Sequence, residues 1–209
     1  MLNQPVKTLF IATLLSGVFA VTRTSGANGA DSMAGPAATA VCSACHGPQG
    51  NSSVPAFPTL AGQGQRYVFK QLLDIQSGLR TVPEMAGMLD NLSPQDLSDI
   101  AAGYAAQVPV IEDVDVSPIE HGETLYSAGD ISRRVPACVG CHSPDGTGNA
   151  AAGFPRLGGQ HAEYLKNQLT AFRDGSRNND GDTRVMRTIA SKLNDHDIAA
   201  LSAYLQGLH

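Results

Sequence analysis

Two short strings, CSACH at residues 42–46 and CVGCH at 138–142, decide how this chain is read. Each holds two cysteines separated by two residues, with a histidine next in line. In a helical segment this spacing lets both sulfurs reach the two vinyl groups of one macrocycle and puts the histidine under the central iron. It is the attachment pattern of c-type haem. A zinc site on four thiolates leaves both histidines idle, and a redox dithiol has no use for them. Cys42, Cys45, Cys138 and Cys141 are the only cysteines of the chain, so two covalently attached haem c groups use every one.

Outward from these strings the text repeats itself. FPTLAGQGQRYVFKQL (57–72) returns as FPRLGGQHAEYLKNQL (154–169), and MAGMLDNLSPQDLSDIAAGYAAQ (85–107) returns as MRTIASKLNDHDIAALSAYLQGL (186–208). The period, roughly 97 residues, is too long for a solenoid unit and suits a small domain in tandem. The intervening VPVIEDVDVSPI (108–119), with a proline near each end and three acids in the middle, reads as an extended linker. The expected domains are 29–107 and 120–209.

The repeat also selects iron ligands. His46 and His142 are the proximal candidates. The second half has one methionine, Met186, seven residues before Leu193; Met85 stands seven before Leu92 and is its partner. Met88 aligns with Ile189, an ordinary core position. Met33 lies near the expected cleavage region and is no candidate. A lone methionine is usually a packing residue, but beside an iron with a free axial position thioether ligation is the better reading. His121, His161, His196 and His209 have no histidine at the matching places of the other half and are expected on the surface. Bis-histidine ligation through one of them is the lesser alternative. Pro58 and Pro155, in PTLAG and PRLGG, are either simple turn prolines or the source of a carbonyl that accepts the outer N–H of the proximal histidine.

Helix signals agree. Ser93-Pro94-Gln95-Asp96 starts a helix with a side-chain cap and proline in the first turn, and Asn194 to Asp197 repeats the pattern. Leu97, Ile100, Ala101 and Tyr104 share one stripe, as do Ile198, Leu201, Ser202 and Leu205. Tyr67 to Gln76 and Tyr164 to Phe172 read as middle helices. No strand alternation is evident, so the class is all-α.

At the N-terminus, Lys7 precedes an apolar run, LFIATLLSGVFAV (9–21), followed by small residues with cleavage points near Ala20, Ala27 or Ala30. This reads as an export signal over residues 1–28, with an uncleaved anchor helix as the alternative. Its removal leaves 12 basic and 19 acidic residues, a net charge of −7 that argues against nucleic acid as a partner. The periplasm is the expected location. Aromatics make up 5% of the chain, with no tryptophan, so each small domain needs something besides side chains to fill its core.

CxxCH, P-x-L-x-G, a later methionine and a closing amphipathic helix resemble the class I cytochrome c domain. Two in tandem, with NDGDTRVMR and SAYLQGLH, resemble the dihaem cytochrome c4 family over nearly all of residues 35–209. The resemblance implies two domains facing each other across a pseudo-twofold interface. It implies Cys42, Cys45, His46 and Met85 at one haem, and Cys138, Cys141, His142 and Met186 at the other. It also implies electron transport in the respiratory chain, from a quinol–cytochrome c reductase toward a terminal haem–copper oxidase, often of the cbb3 type. An electron carrier and not an enzyme is expected. A dihaem peroxidase or sulfur-compound dehydrogenase needs an open iron position or a cysteine ligand, and every cysteine is already used. A tethered haem subunit of a larger oxidoreductase would use the same haems at the membrane. Arg184 and Arg187 flank Met186 whereas Glu84 precedes Met85, so the second haem is expected at the higher potential.

Overall fold

The computed structural model describes Met1, residues 36–111 and residues 120–209. The expected export signal beyond Met1, Met33 and residues 112–119 of the expected linker lie outside the described residues. Helices dominate: α1 Pro36–His46, α2 Gln65–Gln76, α3 Pro94–Ala105, α4 Glu120–Ser127, α5 Val139–His142, α6 Ala162–Asp174, α7 Val185–Ala190 and α8 Asp195–Gly207. Short 3-10 turns occupy Pro48–Gly50 and Pro83–Met85. Among the described residues, extended pairing is confined to two isolated bridges, Asp130 with Val135 and Asn149 with Phe154.

The closing helix of each half starts where its cap predicts. The Ser93 hydroxyl accepts the Asp96 N–H at 3.2 Å while the Asp96 carboxylate accepts the Ser93 N–H at 2.8 Å. Asn194 and Asp197 repeat this exchange at 2.9 Å in both directions. The donors stranded at a helix start are thereby satisfied locally. From these caps the two stripes turn inward. Leu97, Ile100, Ala101 and Tyr104 join Val68, Leu72 and Leu89 in one core. Ile198, Leu201 and Leu205 join Leu125, Tyr126, Val135, Leu165 and Leu193 in the other. Fully burying each leucine or isoleucine side chain contributes about 2 kcal/mol before entropy is counted.

The halves meet through reciprocal polar pairs. The Gln63 side chain donates to the Arg156 carbonyl at 3.0 Å and accepts the Arg156 N–H at 2.8 Å. Its repeat partner Gln160 donates to the Thr59 carbonyl at 2.9 Å and accepts the Thr59 N–H at 3.0 Å. Deeper in, Arg80 donates to Tyr164 at 3.1 Å and to Gln168 at 3.0 Å. Arg177 answers with bonds to Tyr67 at 3.0 Å and Gln71 at 3.1 Å. Each residue meets the counterpart of its own partner, the mark of an approximate twofold relation.

Candidate haem centres

Each CxxCH string sits where a helix ends. In the first half Cys42, Cys45 and His46 form the last turn of α1. In the second, Cys138 caps the four-residue α5, which carries Cys141 and His142. Cys42 and Cys138 are half-buried, Cys45 and Cys141 exposed, and no disulfide links them. Burial pushes the Cys42 thiol up, and raises that of Cys138 to about 11.

The histidines of the two strings have equivalent surroundings. His46 donates Nδ1–H to the Pro58 carbonyl at 2.9 Å, and His142 donates to that of Pro155 at 3.0 Å. Of the two readings of these prolines, the structure supports the carbonyl acceptor. Phe57 lies 6.5 Å from the His46 ring and Phe154 6.3 Å from the His142 ring, centroid to centroid. Burial lowers both imidazole pKa values, partly offset by the proline carbonyls. A neutral ring with its proton held on Nδ1 presents the Nε2 lone pair to a metal.

The methionines are less alike. Met85 ends the 3-10 turn Pro83–Met85 and packs, half-buried, against the first core, as Cys42 does. Met186 is half-buried on α7, where Ala190 is the buried residue and the half-buried Ile189 packs against the second core. Met88, aligned with Ile189 and expected in the core, is 48% exposed. The reason is local: Pro83–Met85 forms a single tight turn where the second half has the regular helix α7, so the two segments present different faces.

The donor set fits two haem c groups. Each half supplies two thiols, an imidazole oriented through Nδ1 and a half-buried thioether, all from one repeat unit. The remaining histidines divide. His196 and His209 are exposed as expected. His161 is half-buried and its Nε2 lies 2.8 Å from the Ser52 carbonyl of the other half, so it belongs to the interface. His121 reaches Asp197 at 2.8 Å. Sequence reading passed over Arg80 and Arg177; their equal offset in the repeat, the same as Gln71 to Gln168, was the available signal.

The family model described as Cytochrome c matches residues 32–102 and 119–209. Cytochrome c4 of Pseudomonas aeruginosa is 58% identical over 179 residues, covering 86% of this chain and 89% of that protein. The chain belongs to the cytochrome c4 family. Cytochrome c4 of Azotobacter vinelandii is 50% identical across 97% of this chain and 99% of its own length. The crystal structure of reduced recombinant cytochrome c4 from Pseudomonas stutzeri superposes with a TM-score of 0.82 at 53% identity, covering 86% of this chain and 99% of that one. The protein is thus a dihaem c-type cytochrome of two cytochrome c domains, an electron carrier with two covalently attached haem groups.

Proposed function

We propose that this member of the cytochrome c4 family is exported to the periplasm after loss of residues 1–28. There it carries electrons between respiratory complexes, from a quinol–cytochrome c reductase toward a terminal haem–copper oxidase. Residues 29–107 form the first domain and 120–209 the second, joined by the linker 108–119. Cys42 and Cys45 anchor one haem and Cys138 and Cys141 the other. His46 with Met85, and His142 with Met186, are the axial ligands.

The observation that carries this reading is the paired histidine–proline bond, 2.9 Å from His46 to Pro58 and 3.0 Å from His142 to Pro155. A ligand imidazole whose outer N–H is fixed by a backbone carbonyl keeps its orientation and gains basicity. The bound haems supply a one-electron couple. His46 and His142, each held in one tautomer, would hold the haem iron together with the soft thioether sulfurs of Met85 and Met186, a donor set that would favour the ferrous state and raise the potential. An iron held in this way by a histidine and a methionine of the chain would leave no position open for substrate, which suits outer-sphere electron transfer.

A redox titration of the haem-loaded protein, with carbon monoxide added at the reduced end, tests this assignment. Two high-potential haems with the methionine-to-iron band and no carbon monoxide shift support it. A carbon-monoxide-binding haem overturns the methionine assignment in that half. Fractionation of the producing cells tests location, since cytochrome found only in the membrane would contradict a freely diffusing carrier.

A further inference from the structure

Besides the residues of the two haem centres, His121 on α4 and His196 and Asp197 on α8 bring three metal-ligating side chains together. One ligand atom from each lies within 4.8 Å of the other two. The imidazole centroids are 4.7 Å apart, with the rings inclined by 33°. We propose that these residues form a site for a borderline divalent transition-metal ion, of which Zn2+ is the type. Two imidazoles and one carboxylate, with water in the fourth position, suit such an ion in tetrahedral coordination.

The existing geometry needs little change. His121 Nε2 lies 2.8 Å from Asp197 Oδ1. Ligand bonds of about 2.0–2.1 Å at a tetrahedral angle put nitrogen and oxygen about 3.3 Å apart, so insertion of the ion parts this pair by about half an ångström. His121 then carries its ring proton on Nδ1, leaving Nε2 to the metal. Asp197 is buried and its other oxygen is already committed. Oδ2 accepts from Arg133 Nη1 at 2.5 Å and from the Asn194 N–H at 2.9 Å. Such outer bonds orient a ligand carboxylate. Arg133 also reaches Oδ1, at a longer 3.3 Å, and its charge is shared with Asp130 at 2.6 Å. That sharing lessens the repulsion an arriving cation meets.

The ion would cross-link α4 to α8 beside a tight contact between the two helices. Gly122, one residue from His121, lies against Ala200, and a side chain there would come within 2.3 Å of the Ala200 carbonyl oxygen. Among the described residues the first half has no such cluster, and Gln95 and Asp96 hold the places of His196 and Asp197.

The test uses haem-loaded protein, stripped with a chelator and titrated with Zn2+ against a chromophoric indicator, about one pH unit above the ordinary imidazole pKa of about 6.5. Saturable binding of one Zn2+ per chain is expected, with an upward shift of the thermal midpoint and no change in the haem spectrum. His196→Ala removes an exposed ligand and leaves the His121–Asp197 contact in place. It should weaken binding at least tenfold, about the lower end of the loss seen when a metal site is perturbed, and abolish the thermal shift. His121→Asn should weaken binding similarly, and His209→Ala should leave it unchanged. Absence of saturable binding, or binding retained in both His196→Ala and His121→Asn, overturns the proposal.

Discussion

The two halves mount the same haem-binding string on different supports. In the first, CSACH ends a helix that begins at Pro36, so its cysteines and histidine are placed by eleven residues of continuous backbone. In the second, CVGCH occupies one short helical turn, reached from α4 through a loop that the Asp130–Val135 bridge closes. Arg133, inside that loop, ties it to Asp197 on α8. The histidine–carbonyl contact is nevertheless the same to 0.1 Å in the two halves. The orientation of His46 and His142 is therefore set by the short segment from the string to the following proline, and the surrounding helices are free to differ. Side-chain ties in the second half do what helix continuity does in the first.

The largest effects should come from the least similar pair of proposed ligands, Met85 and Met186. Met85→Ala and Met186→Ala should each lower the potential of their own haem by on the order of 100–300 mV and open it to carbon monoxide, read by spectroelectrochemistry. If either variant moves both waves, the halves are not independent centres.

Next comes the interface. Arg177 donates to Gln168 at 2.8 Å and to Asn179 at 3.1 Å besides its bonds to Tyr67 and Gln71, and lies 4.4 Å over the Phe172 ring. Arg80 lacks the two further contacts to Asn179 and a ring. Arg177→Ala should therefore destabilise the haem-loaded protein by about 3 kcal/mol and Arg80→Ala by about 2 kcal/mol, read from denaturant midpoints. Equal losses would mean that only the reciprocal bonds matter.

The caps give a smaller contrast. Ser93→Ala removes a solvent-facing cap and should cost about 1 kcal/mol, whereas Asn194→Ala disturbs one joined to the buried Asp197 and should cost about 2 kcal/mol. Acid should separate them too. The Ser93 hydroxyl and N–H hold the Asp96 carboxyl below its ordinary value. Its contribution is accordingly present above the unfolded carboxylate pKa of about 3.9 and is lost as pH falls below that. Unfolding midpoints of the wild type and Ser93→Ala should converge in that acid range.

The smallest effect concerns charge. Arg187 is neutralised by Asp180 at 2.6 Å, so any cationic bias toward the second haem rests on Arg184. Arg184→Gln should lower that potential by on the order of 20 mV at low salt, and less at high salt. Differential voltammetry at two ionic strengths would read it.

What could be read in the sequence was what is local or repeated. The caps at Ser93 and Asn194 act within four residues, and every stripe residue from Leu97 to Tyr104 and from Ile198 to Leu205 is buried. The expected middle helices are present, each two residues longer at its start, and the second also two residues longer at its end. α4 went unread because it is one eight-residue helix with glycine at its third position, and its stability comes from packing against α8. The exposure of Met88 depends on how one turn is wound, which identical spacing in the other half does not reveal. Arg80 and Arg177 were passed over because the partners that place them at the interface, Tyr164 and Tyr67, are more than 80 residues away along the chain.

The reciprocal pattern of Arg80, Gln71 and Tyr67 with Arg177, Gln168 and Tyr164 has a consequence for assembly. A surface whose donors fit its own acceptors, turned around, is the signature of a symmetric homodimer. Each half carries a full copy of that surface, so the covalent tether acts as a concentration device: it replaces a bimolecular encounter by an intramolecular one and needs to specify neither partner nor register. Lengthening the tether should cost only the slow logarithmic price of a larger loop.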